Sequence, residues 1–322
     1  MDTREMWVAL VAIALSIAAP AAMSQAYPSK PVRLIVPFGA GGAPDAAARL
    51  IAPRLAERFG QPVIVENRPG GDTIIGTEAV AKASPDGHTM LFSAASSMTI
   101  LPHTRKRLPY DPFKDFVHVV QTAYVQFVLA ASPSVPAASV TELVALARSQ
   151  PGRLSYASAS EAAYITAEMF KHSTKVDIMH VPYKALATAT TDLLSGQVTI
   201  MFGSFATVVP HFKTKSLKAL AVTGEKRSPA LPDVPTMAET GVSSFESSSA
   251  YGISAPRATP PAAVKRWNNE VAAVLRMPDI AEKFLALGLE ARFGTSEQFT
   301  ALLQAESEKQ RAVLQRIGFK PG

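Results

Sequence analysis

Three glycines in four residues, Gly39-Ala40-Gly41-Gly42, follow the apolar segment Val32–Phe38 and precede Ala43-Pro44-Asp45. Glycines between a strand and a helix let the backbone approach a ligand closely and adopt positive φ. The N–H groups of such a turn, with the dipole of the helix behind it, favour an anion. Asp45 either ties down the start of that helix or meets a donor on the ligand, and the first role is favoured. A second strand-to-helix turn, Tyr156-Ala157-Ser158-Ala159-Ser160, offers two hydroxyls and further N–H groups. On its own Ser-x-Ser is an ordinary helix cap, but paired with the glycine turn it suggests a carboxylate gripped from two sides.

Other chemistries fit less well. Gly39-x-Gly41 with Glu66 at the end of the next strand imitates a dinucleotide fingerprint, but Pro44 stands at the third glycine position. G-x-S-x-G, H-E-x-x-H and the P-loop are missing from the sequence. The six histidines (88, 103, 118, 172, 180 and 211) show no metal-ligand spacing. His180, in the apolar run Ile178–Tyr183, reads as a buried, hydrogen-bonded side chain. Cysteine is absent, which excludes disulfides and thiol nucleophiles. No cofactor or metal is expected. The net charge is +6, but the basic residues are dispersed and only Arg105-Lys106-Arg107 cluster. That triplet reads as a solvated turn, and a nucleic-acid partner is not expected.

The elements that must position these turns alternate between strand and helix. Strands are expected at Val32–Phe38, Pro62–Glu66 and His88–Ser93, with helices over Asp45–Phe59 and Asp72–Ala83 between them. Pro53 within the first helix should bend it or break a turn. A second series places strands at Phe127–Ala131, Leu154–Ser158, Ile178–Tyr183, Val198–Phe202 and Lys218–Thr223. Its helices fall at Val140–Ser149, Ala162–His172, Ala187–Leu194 and Thr207–Phe212. Tyr251–Ala255 reads as a returning strand. Helices over Ala262–Leu287, interrupted at Pro278, and Ser296–Ile317 close the chain. Such alternation predicts an α/β fold with parallel sheets. Two series with a C-terminal remainder predict two lobes, residues 27–124 with 251–322 and residues 125–250. They should be joined by crossings near Ala123–Phe127 and Ser248–Tyr251.

Residues Met6–Ala22 are almost wholly apolar and Ser24-Gln25-Ala26 supplies small residues at a cleavage position. Residues 1–26 therefore read as a secretory signal peptide, although Asp2 and Glu5 accompany the single Arg4. A periplasmic protein is expected.

Several segments together resemble the Bug family of extracytoplasmic solute receptors, the binding components of tripartite tricarboxylate transporters. They are Tyr27–Arg33, Pro62–Gly70, Leu108–Pro112, His180–Lys184, Asp192–Val198 and Lys226–Thr236, and the match runs in order to the C-terminus. The resemblance implies a type II periplasmic-binding-protein fold with a hinged cleft. It implies a non-enzymatic receptor for a small organic carboxylate, partnered by membrane permease subunits or a sensor kinase, and a monomer is expected. The candidate contacts are Phe38, Gly39, Ala40, Gly41, Gly42, Ala43 and Asp45 from the first turn, and Ala157, Ser158, Ala159, Ser160 and Tyr164 from the second. Ser93, Tyr183, Gly203, Ser204 and Phe205, at or just past strand ends, complete the set.

The chain also departs from the family pattern. Gly39 and Ala40 stand for prolines, Pro44 for a threonine, Ala162 and Ala163 for hydroxyl residues, and Gly203 for an aspartate. Glu161 adds a negative charge beside the second turn. With Met98, Tyr164, Phe205 and Tyr251 expected near the cleft, these departures point to an apolar or aromatic monocarboxylate.

Overall fold

The computed structural model describes residues 27–242, 245 and 247–322; the expected signal peptide lies outside them. Strands β1 (Val32–Val36), β2 (Val63–Asn67) and β3 (Thr89–Ala94) pair in parallel in the order β2-β1-β3. Helix α1 (Ala43–Phe59) and helix α2 (Ile74–Ala81) make the crossovers. Alternate residues of β1 face opposite sides, as a strand requires. Val32, Leu34 and Val36 enter a core with Ala47, Ile51 and Leu55 of α1, whereas Ile35 packs with Leu91 and Met98 on the other face.

A 16-residue strand, β4 (Phe116–Ala131), then runs through both halves of the molecule. Its first part pairs antiparallel with β9 (Ser248–Pro256), which in turn borders β3, and with the short β10 (Leu289–Ala291). Its last five residues pair with β7 (Ile200–Ser204), and residues 128–131 also with β8 (Lys218–Val222). Beyond β7 lie β5 (Ser155–Ser158) and β6 (Met179–Pro182), parallel to one another. The first crossing between lobes, expected near Ala123–Phe127, is thus made by a continuous strand. The chain returns on β9 at Ser248, where the second crossing was expected.

The short helix α3 (Leu101–Thr104) precedes β4 in the first lobe, and in the second lobe α4 (Val140–Ser149), α5 (Glu161–Thr174), α6 (Leu186–Ser195) and α7 (Phe205–Lys213) cover the β5–β8 strands. Helices α8 (Pro261–Leu275), α9 (Pro278–Ala286) and α10 (Ser296–Arg316) return to the first lobe. Trp267 of α8 is fully buried against Phe59, with ring centroids 4.9 Å apart, and donates its indole N–H to the Tyr27 hydroxyl at 2.7 Å. α10 starts at Ser296, as expected, behind a capping box of Thr295 and Gln298.

Three local expectations change. α1 continues through Pro53 without a broken turn. Pro53 is exposed, so the carbonyl of Arg49 that lacks a donor faces water. α2 begins at Ile74 rather than Asp72, because Gly70, Gly71, Asp72 and Thr73 all hold positive φ (124°, 56°, 54° and 81°). A left-handed run cannot begin a right-handed helix. The π-helical turn Ser96–Ile100, α3 and β10 fall where no element was expected. Pro53→Ala restores the missing helical bond and should stabilise the fold by about 1–2 kcal/mol, after discounting the proline's restriction of the unfolded chain. A higher denaturant midpoint at unchanged slope is the expected readout.

Candidate ligand-binding site

The glycine turn is held from behind. Asp45, only 4% exposed, accepts the Gly41 N–H at 2.9 Å, the Asn67 amide at 2.8 Å and the Arg49 Nε at 3.0 Å. Asn67, the last residue of β2, also donates to the Phe38 carbonyl at 3.1 Å. Burial alone would raise the Asp45 carboxyl; the Gly41, Arg49 and Asn67 bonds outweigh it and hold the group below its usual range. Asp45 therefore fixes the turn, and the Gly41 amide is committed to it. Gly39–Gly42 themselves are exposed. Gly42 caps α1 in an extended conformation and Gly41 holds φ +84°, which demands glycine even though a Cβ there would meet no atom within 4 Å. Pro44 lies in the first turn of the helix, where a missing N–H breaks no ladder bond.

The second turn opens onto a cavity of about 610 Å³. Ser158, Ala159 and Ser160 form its wall with Tyr164 and Tyr183. Ser160 caps α5 by accepting the Ala163 N–H at 3.3 Å. Ser158 Oγ lies 2.7 Å from His180 Nε2, and the His180 ring stacks on Tyr156 at 4.8 Å and leans on Tyr164 at 4.9 Å. Burial pushes His180 below the ordinary histidine value, so it is neutral at pH 7. A serine–histidine pair is half of a nucleophilic device. Among the described residues, however, no carboxylate pairs with this imidazole, and its face is spent on Tyr156. The pair orients the Ser158 hydroxyl.

The charged part of the lining around Arg105 was not anticipated. Arg105 reaches across from the end of α3 and holds Glu161 of α5, with Nη1–Oε1 at 3.2 Å and Nη2–Oε2 at 2.7 Å. Asp72 of the left-handed run stands 3.5 Å from the same guanidinium. Burial, and then the neighbouring Glu161, push the Asp72 carboxyl up to about 6. Arg105 is thus an inter-lobe clasp where a solvated turn was expected. Phe319, from the segment after α10, and Lys184 complete the lining, with Phe319 edge-on to Tyr164 at 6.3 Å.

The remaining candidates lie elsewhere. Phe38–Asp45 do not line this cavity. Ser93 is buried in β3 and donates to the Gly252 carbonyl at 3.1 Å. Ala157 is buried in a core. Gly203 lets α7 fold back on β7, since a Cβ there would sit 2.4 Å from Val208 Cγ1. Ser204 caps α7 and pairs with Thr207 Oγ1 at 2.7 Å. Phe205 and Met98 are buried in cores, and Tyr251 packs on Phe92, so of the four apolar residues expected at the cleft only Tyr164 lines the cavity.

A family model described as the tripartite tricarboxylate transporter family receptor matches residues 47–319. A Pseudomonas sp. protein, the UPF0065 protein in the tcbD-tcbE intergenic region, is 36% identical over 306 residues, 93% of this chain and 91% of its own. Protein BugT of Bordetella pertussis is 33% identical, with 94% of each chain covered. Among solved structures, R. palustris Rpa4515 with adipate superposes with a TM-score of 0.86 at 34% identity, over 92% of this chain and all of its own. MatC from Rhodopseudomonas palustris with bound malate gives 0.80 at 29% identity, over 89% and 100%.

Proposed function

Since this chain belongs to the tripartite tricarboxylate transporter receptor family, we propose that it captures a small organic carboxylate between its lobes and delivers it to membrane permease subunits. The observation that carries this reading is the turn Ser158–Ser160 at the start of α5, which presents hydroxyls and a helix N-terminus to a 610 Å³ cavity. Structural relatives with adipate and malate bound support the ligand class. The exposed glycine turn at the start of α1 is proposed as the second donor surface, brought to the ligand when the lobes close. Residues 27–124 with 251–322 form one lobe in this reading and 125–250 the other.

Ligand stabilises a closed state only through contacts it makes to both lobes. Micromolar affinity needs roughly −8 kcal/mol, which a few charge-assisted hydrogen bonds with apolar contact can supply. Residues 1–26 are proposed as the signal that exports the chain to the periplasm. No helix of the described residues is long and apolar enough to cross a membrane.

Thermal unfolding of the mature chain against a panel of mono-, di- and tricarboxylic acids tests the receptor reading. A cognate acid at a hundredfold its Kd should add about 2.7 kcal/mol. A panel in which no acid raises the midpoint would remove carboxylates as the ligand class. Turnover of small esters that disappears in Ser158→Ala would replace the receptor with an acyl hydrolase. A neighbouring gene pair for a permease separates transport from a sensor kinase partner.

A further inference from the structure

We infer, on the receptor reading above, that Glu161 permanently occupies the anion position at Arg105 in the cavity lining, so that this receptor selects a ligand with one carboxylate and an otherwise uncharged body. Arg105 and Lys184 are the cations of the lining. Lys184 is exposed on the turn after β6. The Arg105 guanidinium presents a planar fork suited to a carboxylate, and Glu161 fills it with one oxygen on each terminal nitrogen. The Glu161 side chain is only 10% exposed, so this is a built contact rather than a surface pair. It is made by the first residue of α5, directly after the Ser158–Ser160 turn. The anchor for a ligand's first carboxylate and the occupied position for a second are therefore adjacent in the chain.

Asp72 sharpens the effect. Two carboxylates already share one guanidinium, and Asp72 is pushed up to about 6 by burial and by Glu161. A second ligand carboxylate arriving here would be the third acid around a single Arg105. It must displace Glu161 or stand beside two like charges, and both lower affinity. His180 adds no charge at pH 7. Elsewhere in the lining Tyr164, His180 and Phe319 offer rings to an apolar or aromatic tail.

Calorimetric titration with two matched pairs of acids, hexanoate against adipate and benzoate against terephthalate, provides the test. Within the pair that binds, the wild-type protein should take the monocarboxylate at least about tenfold more tightly. Glu161→Gln should reduce that ratio by about tenfold through a gain for the diacid. Equal or tighter binding of the diacid by the wild-type protein overturns the inference, and this measurement does not depend on any variant folding. A ratio unchanged in a folded Glu161→Gln variant overturns it as well. If neither pair nor any acid of the wider panel binds, the receptor reading itself falls; binding of acids with the opposite preference removes only the role of Glu161.

Discussion

Gly288→Ala is expected to destabilise the protein by at least about 3 kcal/mol, one of the largest single-residue effects in the chain. Gly288 holds φ +73°, where a side chain costs roughly 1–2 kcal/mol. A Cβ built there would sit 1.8 Å from Phe205 Cβ and 2.5 Å from Cγ. Those atoms are not the free end of a flexible side chain. Phe205 is the first residue of α7 and is buried in the core with Val128, Ala130 and Val208, so relief requires the helix to move. Gly288 follows α9 in the first lobe, and the clash therefore falls on the contact between lobes. Gly241→Ala is the control: its φ is +87°, but no atom lies within 4 Å, so it should cost only the conformational penalty of roughly 1–2 kcal/mol. Denaturant unfolding of both variants checks the difference, and equal losses would show that the lobes do not press together at Gly288.

Asp45→Ala should cost about 2–4 kcal/mol and weaken carboxylate binding at least about tenfold. It leaves the Gly41 and Asn67 N–H groups without their acceptor, and the glycine turn then loses the brace that shapes it. The pH dependence has a definite sign. The folded carboxyl titrates below the reference value of 3.8, so its stabilisation is present above about pH 4 and is lost as pH falls through the folded pKa. Asp45→Asn should flatten that acid limb of the stability profile. A variant that binds ligand as wild type does would show that the turn at Gly39–Gly42 takes no part in binding.

What could be read from the sequence follows from the range of the interactions. The turn Tyr156–Ser160, its strand and the helix behind it are local, and the pattern placed them where the cavity forms. The strand–helix alternation gave the parallel segments for the same reason. Residues 116–126 of β4 were missed because His118, Gln121 and Thr122 interrupt the apolar run and two irregularities in its pairing with β9 shift the alternation. β10, three residues long, is too short to show a period. The clasp was invisible for a different reason. Arg105 and Glu161 are 56 residues apart, and nothing in a basic triplet says which of its members finds a buried acid. Asp45 was legible as a structural residue, but its partner Asn67 comes from the neighbouring strand and could be seen only once β1 and β2 were paired.

The passage of β4 between the sheets bears on how the lobes can move. At the boundary Val125 pairs with Ser249 and Gln126 with Ser248, so the chain leaves the first sheet and re-enters it on neighbouring strands. Two hydrogen-bonded strands form a ribbon resembling a leaf spring. Bending out of its plane changes dihedral angles a little at each residue, whereas bending within the plane must shear the ladder that joins the strands. The joint therefore has one compliant direction and one stiff one. The lobes should rock towards and away from each other along a single path rather than swivel freely.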